Sequence, residues 1–184
     1  MSVILAFATS KYGIIASDGR FCSCNRIVSE NFDKTLQFNK NVVCGFAGYS
    51  RPCIQIVTEL QNNPHIQKMT LESIIEFISI HLPKIIQGTE FASFLLLGKN
   101  IDEKIQMTGI GSNTKYLPYT EIHTENEYKF MTISPPRINT SKLFIDTLLE
   151  FQPDIQKGID MTILRTSKLT DTVNNIRFQK DFFL

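Results

Sequence analysis

Ser2-Val3-Ile4-Leu5-Ala6-Phe7-Ala8-Thr9-Ser10-Lys11-Tyr12-Gly13-Ile14-Ile15-Ala16-Ser17 opens the chain with two short apolar runs around a turn-like stretch at 9–12. Runs of this length, rich in branched and aromatic side chains and split by a polar turn, read as a β-hairpin. Neither run alternates cleanly between apolar and polar, so both strands are expected to be buried on two faces. A polar stretch, 18–33, follows as an excursion from the end of the second strand. Residues 34–38 and 42–46 then form a second hairpin around Asn39-Lys40-Asn41. Two hairpins therefore precede any helix.

The first helix is expected to start at Ser50, acting as its cap, with Pro52 tolerated in the first turn. Cys53, Ile54, Val57 and Leu60 follow helical spacing and predict its buried face. A second helix starts near Thr70 and lines up Leu71, Ile74, Ile75, Ile78, Leu82 and Ile85, with Pro64 separating it from the first. Strands are expected again at 91–98, 104–109 and 128–133, and a third helix at 141–151. A strand at 161–165 and another at 176–179 complete the reading. With no repeat or linker, residues 1–184 form one domain. Antiparallel hairpins with helices segregated between them define an α+β class, which two stacked sheets flanked by helices would satisfy.

Composition sets outer limits. Hydrophobic residues make up 42% and charged residues 20% of the 184, and formal net charge is +1. The basic residues form no stripe, so no nucleic-acid partner is expected. No apolar run reaches the roughly 20 residues that span a bilayer, and the first residues lack the features of a signal peptide. A cytoplasmic location without membrane association is the expectation. Cys22, Cys24, Cys44 and Cys53 have no zinc-site spacing and no partner among His65, His81 and His123. Reduced thiols are expected, Cys44 serving as a small hydrophobe. Neither metal nor cofactor is implied.

Two segments end apolar strands in polar or glycine-rich turns: Ile15-Ala16-Ser17-Asp18-Gly19-Arg20 and Val42-Val43-Cys44-Gly45-Phe46-Ala47-Gly48. Read alone, Asp18, Arg20 and Lys34 are surface charges, and Gly45 and Gly48 permit tight turns. In context, the first sixty residues resemble the opening of proteasome β-subunits and of the bacterial HslV-type peptidase. The pieces are Ser2, then Ser17-Asp18-Gly19-Arg20, then Asp33-Lys34-Thr35-Leu36, then Gly45-Phe46-Ala47-Gly48. Asp18 and Lys34 stand 16 and 32 positions after Ser2, matching the family spacing without a gap. Further on, Thr108-Gly109-Ile110-Gly111-Ser112-Asn113 resembles the family's I-G-S-G turn, which would make Ser112 the auxiliary serine. Pro153-Asp154-Ile155-Gln156-Lys157-Gly158 resembles its D-x-x-S-G-G element, with Asp154 at the Asp and Lys157 in place of the Ser.

The resemblance implies the N-terminal-nucleophile (Ntn) hydrolase fold, a four-layer αββα sandwich of two antiparallel sheets. It implies cleavage of an amide bond in a peptide or small amide by Ser2, once Met1 is removed. The Ser2 α-amine would act as base, since it titrates near neutrality. Lys34 would favour the unprotonated amine and the developing alkoxide, and Asp18 would hold Lys34 in place. Backbone N–H groups at Gly48 or Gly45 would form the oxyanion hole. Ser replaces the usual Thr, losing the methyl that restrains χ1. The family also implies a homo-oligomer, ring-shaped in its relatives, while no residue here identifies an ATPase unfoldase. The alternative is a catalytically silent proteasome-like subunit with an assembly or binding role. Only Met1 precedes Ser2, which favours the β-type reading over the α-type.

Overall fold

β1 (Ile4–Ala8) is buried at all five positions, and successive side chains enter two different cores. Ile4, Ala6 and Ala8 face one side with Ile15, while Val3, Leu5 and Phe7 face the other with Ile14 and Ala16. This is the two-sided burial that the unbroken apolar runs require. The computed structural model describes residues 2–23, 26–125 and 127–184, with the Ser23 side chain also left aside. Met1 and Cys24, both invoked above, lie outside the described residues.

β1 pairs with β2 (Tyr12–Asp18), and β10 (Lys129–Ile133) and β11 (Arg177–Phe183) flank them in the order β10-β1-β2-β11. The second sheet runs β5-β6-β7-β8-β9, with β5 at Thr35–Asn39, β6 at Val42–Gly48 and β7 at Ala92–Lys99. β8 spans Ile105–Gly111 and β9 Tyr119–Ile122. All pairings within both sheets are antiparallel. The sheets stack through Ile4, Ile15, Val43, Leu95, Leu97 and Met107. A Cβ on Gly45 would come within 2.6 Å of Ile4 Cγ2 and 2.9 Å of Ile15 Cγ2, so glycine there lets the two sheets touch.

Helices α1 (Ser50–Gln61) and α2 (Leu71–Ile85) cover the outer face of the five-stranded sheet, against Cys44, Phe46, Phe94, Leu96 and Ile110. Helices α3 (Thr140–Glu150) and α4 (Ile155–Ser167) cover the outer face of the other through Phe144, Leu148, Ile159 and Ile163. The layers are thus αββα, as expected.

Several local expectations change. Residues 161–165 are helical, not a strand: α4 buries Ile159, Thr162, Ile163 and Thr166, a helical repeat hidden by two threonines. Those threonines are tolerated in the interior because Thr162 Oγ1 donates to the Gly158 carbonyl and Thr166 Oγ1 to that of Thr162, both at 2.8 Å. Ser50 is the first helical residue rather than the cap, and Tyr49 precedes it without a side-chain bond. α1 buries Ile56 with Pro52, Cys53 and Leu60, leaving Ile54 exposed. The polar stretch 18–33 carries a two-stranded ribbon, β3 (Phe21–Ser23) and β4 (Arg26–Ser29), and β9 is a further strand at a sheet edge.

Candidate active site

Asp18 ends β2 with its side chain fully buried, where a carboxylate needs partners for both oxygens. Oδ2 accepts the Arg20 N–H at 2.9 Å. Oδ1 accepts the Lys34 ammonium at 2.9 Å and the Val3 N–H at 3.0 Å. The ammonium and the backbone segment carrying Ser2 therefore meet on one oxygen atom. Lys34 Nζ also donates to the Asp18 carbonyl at 2.7 Å, which accounts for two of its three hydrogens. Lys34 is only 3% exposed, and burial pulls its pKa below the usual lysine range, with the Asp18 charge opposing that shift.

Ser2, Lys34 and Gly48 line one cleft of about 20 Å³, walled by Phe21, Phe32 and Phe46. Ser2 is itself buried, at 8% exposure. Gly48 closes β6 at φ +131, and a Cβ there would lie 2.5 Å from the Phe91 carbonyl oxygen. Only glycine suits that conformation and that approach. Gly45, the other oxyanion-hole candidate, lies away from the cleft in the contact between sheets.

The two downstream candidates sit elsewhere. Ser112 is exposed in a 3-10 turn after β8 and lines a separate cavity of about 500 Å³. Asp154 is exposed and caps α4, accepting the Lys157 N–H at 2.9 Å. Two residues that the sequence did not single out touch the elements that carry the site. Ile4 pairs with Ile133, so Ser134 directly follows the strand that pairs with β1, and with Ser112 it lines the larger cavity. Its hydroxyl is 3.4 Å from that of Thr132, which contacts Ser141 Oγ at 2.6 Å. Asn174 accepts the Gly19 N–H at 2.9 Å and donates to the Glu30 carbonyl at 2.8 Å. Arg20 adds an ion pair to Glu30 at 3.0 Å and a bond to the Asp171 carbonyl at 2.5 Å. The turn bearing Asp18 is thereby fixed from both sides. The available signals were a serine directly after a strand and before Pro135, and paired asparagines just before the last strand.

No family model matches the chain, and no curated protein matches it. Among solved structures, it resembles the eukaryotic HslV of Trypanosoma brucei, with a TM-score of 0.69 over 99% of each chain and 13% identity. The chain has the HslV fold. In this HslV-like framework the cleft lies where β1 begins and β2 and β6 end, so strands of both sheets deliver its polar groups. Cys53 lines it as well, but burial pushes its thiol up to about 12, which disfavours the thiolate that a cysteine nucleophile requires. Cys44 is raised further by the same cause. Among the described residues no group of three or more His, Cys, Asp or Glu is placed to hold a metal ion. No helix among the described residues is long and apolar enough to cross a membrane.

Proposed function

We propose that the chain is a proteasome-like N-terminal-nucleophile amide hydrolase in which Ser2, freed of Met1, is the nucleophile. The observation that carries this reading is the meeting of the Lys34 ammonium and the Val3 amide on Asp18 Oδ1, in a cleft that Ser2, Lys34 and Gly48 share. Ser2 Oγ attacks the carbonyl carbon while its proton passes to the Ser2 α-amine. The amine returns that proton to the departing nitrogen as the C–N bond breaks, leaving an ester on Ser2. Water then attacks the ester by the same route and releases the acid. Lys34 supplies the fixed positive charge beside the developing alkoxide, and the Gly48 N–H supports the oxyanion.

The test is turnover of short peptide amides by protein whose first residue is Ser2. Ser2→Ala should abolish turnover, and Lys34→Ala should cut the rate by about 10²-fold or more, as loss of a positioned catalytic charge does. If protein with a free Ser2 amine and intact Lys34 cleaves no peptide amide, the silent-subunit reading replaces this one.

A further inference from the structure

The cavity of about 500 Å³ exists because the two sheets part company along one side. Directly opposed residues across β6, β7 and β8 share a face, and three such rows point toward the other sheet. Val43, Leu97 and Met107 fill the first row with large side chains. Gly45, Leu95 and Gly109 form the second, and Ala47, Ser93 and Gly111 the third. The glycines at the ends of the second row behave oppositely. A Cβ on Gly45 collides with Ile4 and Ile15, whereas one on Gly109 meets nothing within 4 Å. Along this row the sheets are in contact at β6 and part at β8, beyond the contact that Met107 makes. A mid-strand glycine facing open space gives up strand preference with no packing reason, which is the mark of a place kept clear for an approaching group.

The third row joins this space to the candidate active site, because Ala47 lines the Ser2 cleft while Ser93, its cross-strand partner, lines the cavity. On the far wall stands β10, which pairs with β1 up to Ile4, two residues after Ser2. β10 is the last strand of its sheet, and among the described residues no strand pairs with its outer edge. Such an edge offers backbone N–H and C=O groups to an extended chain. None of the lining residues is Asp, Glu, Lys, Arg or His. Hydroxyl and amide groups of Ser93, Ser112, Asn113, Thr132 and Ser141 stand over an apolar floor. That chemistry accepts amide and hydroxyl partners and offers a charged group no counterion.

We propose that the cavity receives an uncharged peptide segment of the substrate, extended along the outer edge of β10. The proposal rests on the amide-hydrolase reading, and its test separates binding from cleavage. Ser2→Ala protein, which cannot turn over, is titrated with acetyl-Ala-Ser-Thr-Ala-amide and with acetyl-Ala-Asp-Lys-Ala-amide while backbone amide resonances are followed. The neutral peptide should shift signals of β8 and β10, and the charged one should bind at least about tenfold more weakly, since burying an uncompensated charge is costly. Adding Gly109→Leu should fold with an unchanged or higher melting temperature and weaken the neutral peptide at least about tenfold. Absence of binding, equal binding of both peptides, indifference to Gly109→Leu, or shifts confined to other elements would each overturn the proposal. Peptide binding as described, by a protein that never cleaves, would refute the hydrolase reading and leave the cavity assignment standing.

Discussion

Asp18 accepts three hydrogen bonds from donors at residues 3, 20 and 34, so its substitution strands a cation and two backbone N–H groups at once. Removing one partner of a buried ion pair costs about 3–5 kcal/mol, because the other charge is left unpaired. We expect Asp18→Ala and Lys34→Met each to lose about that much in urea unfolding. Asp18→Asn combined with Lys34→Met should lose less than either, since no unpaired charge stays buried, although the single amide oxygen can replace only one of the two oxygens that accept from Val3 and Arg20. A pH experiment isolates the lysine. Its folded pKa lies below the ordinary 10.5, so the unfolded chain binds more protons in the window between those values. The cost of burying the ammonium is fully present below the folded pKa and is relieved as pH rises through that window. Wild-type stability should therefore rise relative to Lys34→Met between neutral pH and about 10.5; a falling difference would mean that the Asp18 charge outweighs burial. The match of Ser2, Asp18 and Lys34 to the spacing of the family they resemble made this cluster legible in sequence; read alone, Asp18 and Lys34 were surface charges. Ser134 and Asn174 were illegible. Each meets the elements that carry the site only through a pairing or loop contact with residues more than a hundred positions away.

Helix starts show which local rules can be read and which depend on neighbours. Thr70 was expected near the start of α2, and its side chain does accept the Ser73 N–H, at 3.2 Å. Ser50 offered the same chemistry one residue too late, because the chain leaves β6 through Gly48 and is already helical at Ser50. Thr70→Ala should cost about 1 kcal/mol in urea unfolding, and Ser50→Ala should stay within about 0.5 kcal/mol. Equal losses would mean that Ser50 supports the helix in another way. The apolar periodicity of α2 was legible because solvent lies on its opposite face. That of α4 was obscured by Thr162 and Thr166, which bond back to their own helix. β9 was hidden because it is an exposed edge whose side chains need no alternation.

Taken together, the two sheets explain both the order of layers and the place of the cleft. The opening hairpins placed apolar residues on both faces of each strand, so two-sided burial of those strands was legible, and the structure resolves it into an inner core and two outer ones. Where the sheets touch and where they part was not legible, because Gly45 and Gly109 are identical letters in opposite surroundings. Lys34 and Ser2 reach one cleft from different sheets, and the proposed chemistry needs that stacking together with a free amine on Ser2. An α′,β′-epoxyketone peptide forms a ring with a hydroxyl and an amine on the same residue, so it reports both groups at once. Intact-mass and peptide mapping of the protein after exposure should find one equivalent on Ser2 when Ser2 is the first residue. No adduct should form with Ser2→Ala or while Met1 is retained. Equal modification of the Met1-bearing protein, or none in either form, would contradict the account.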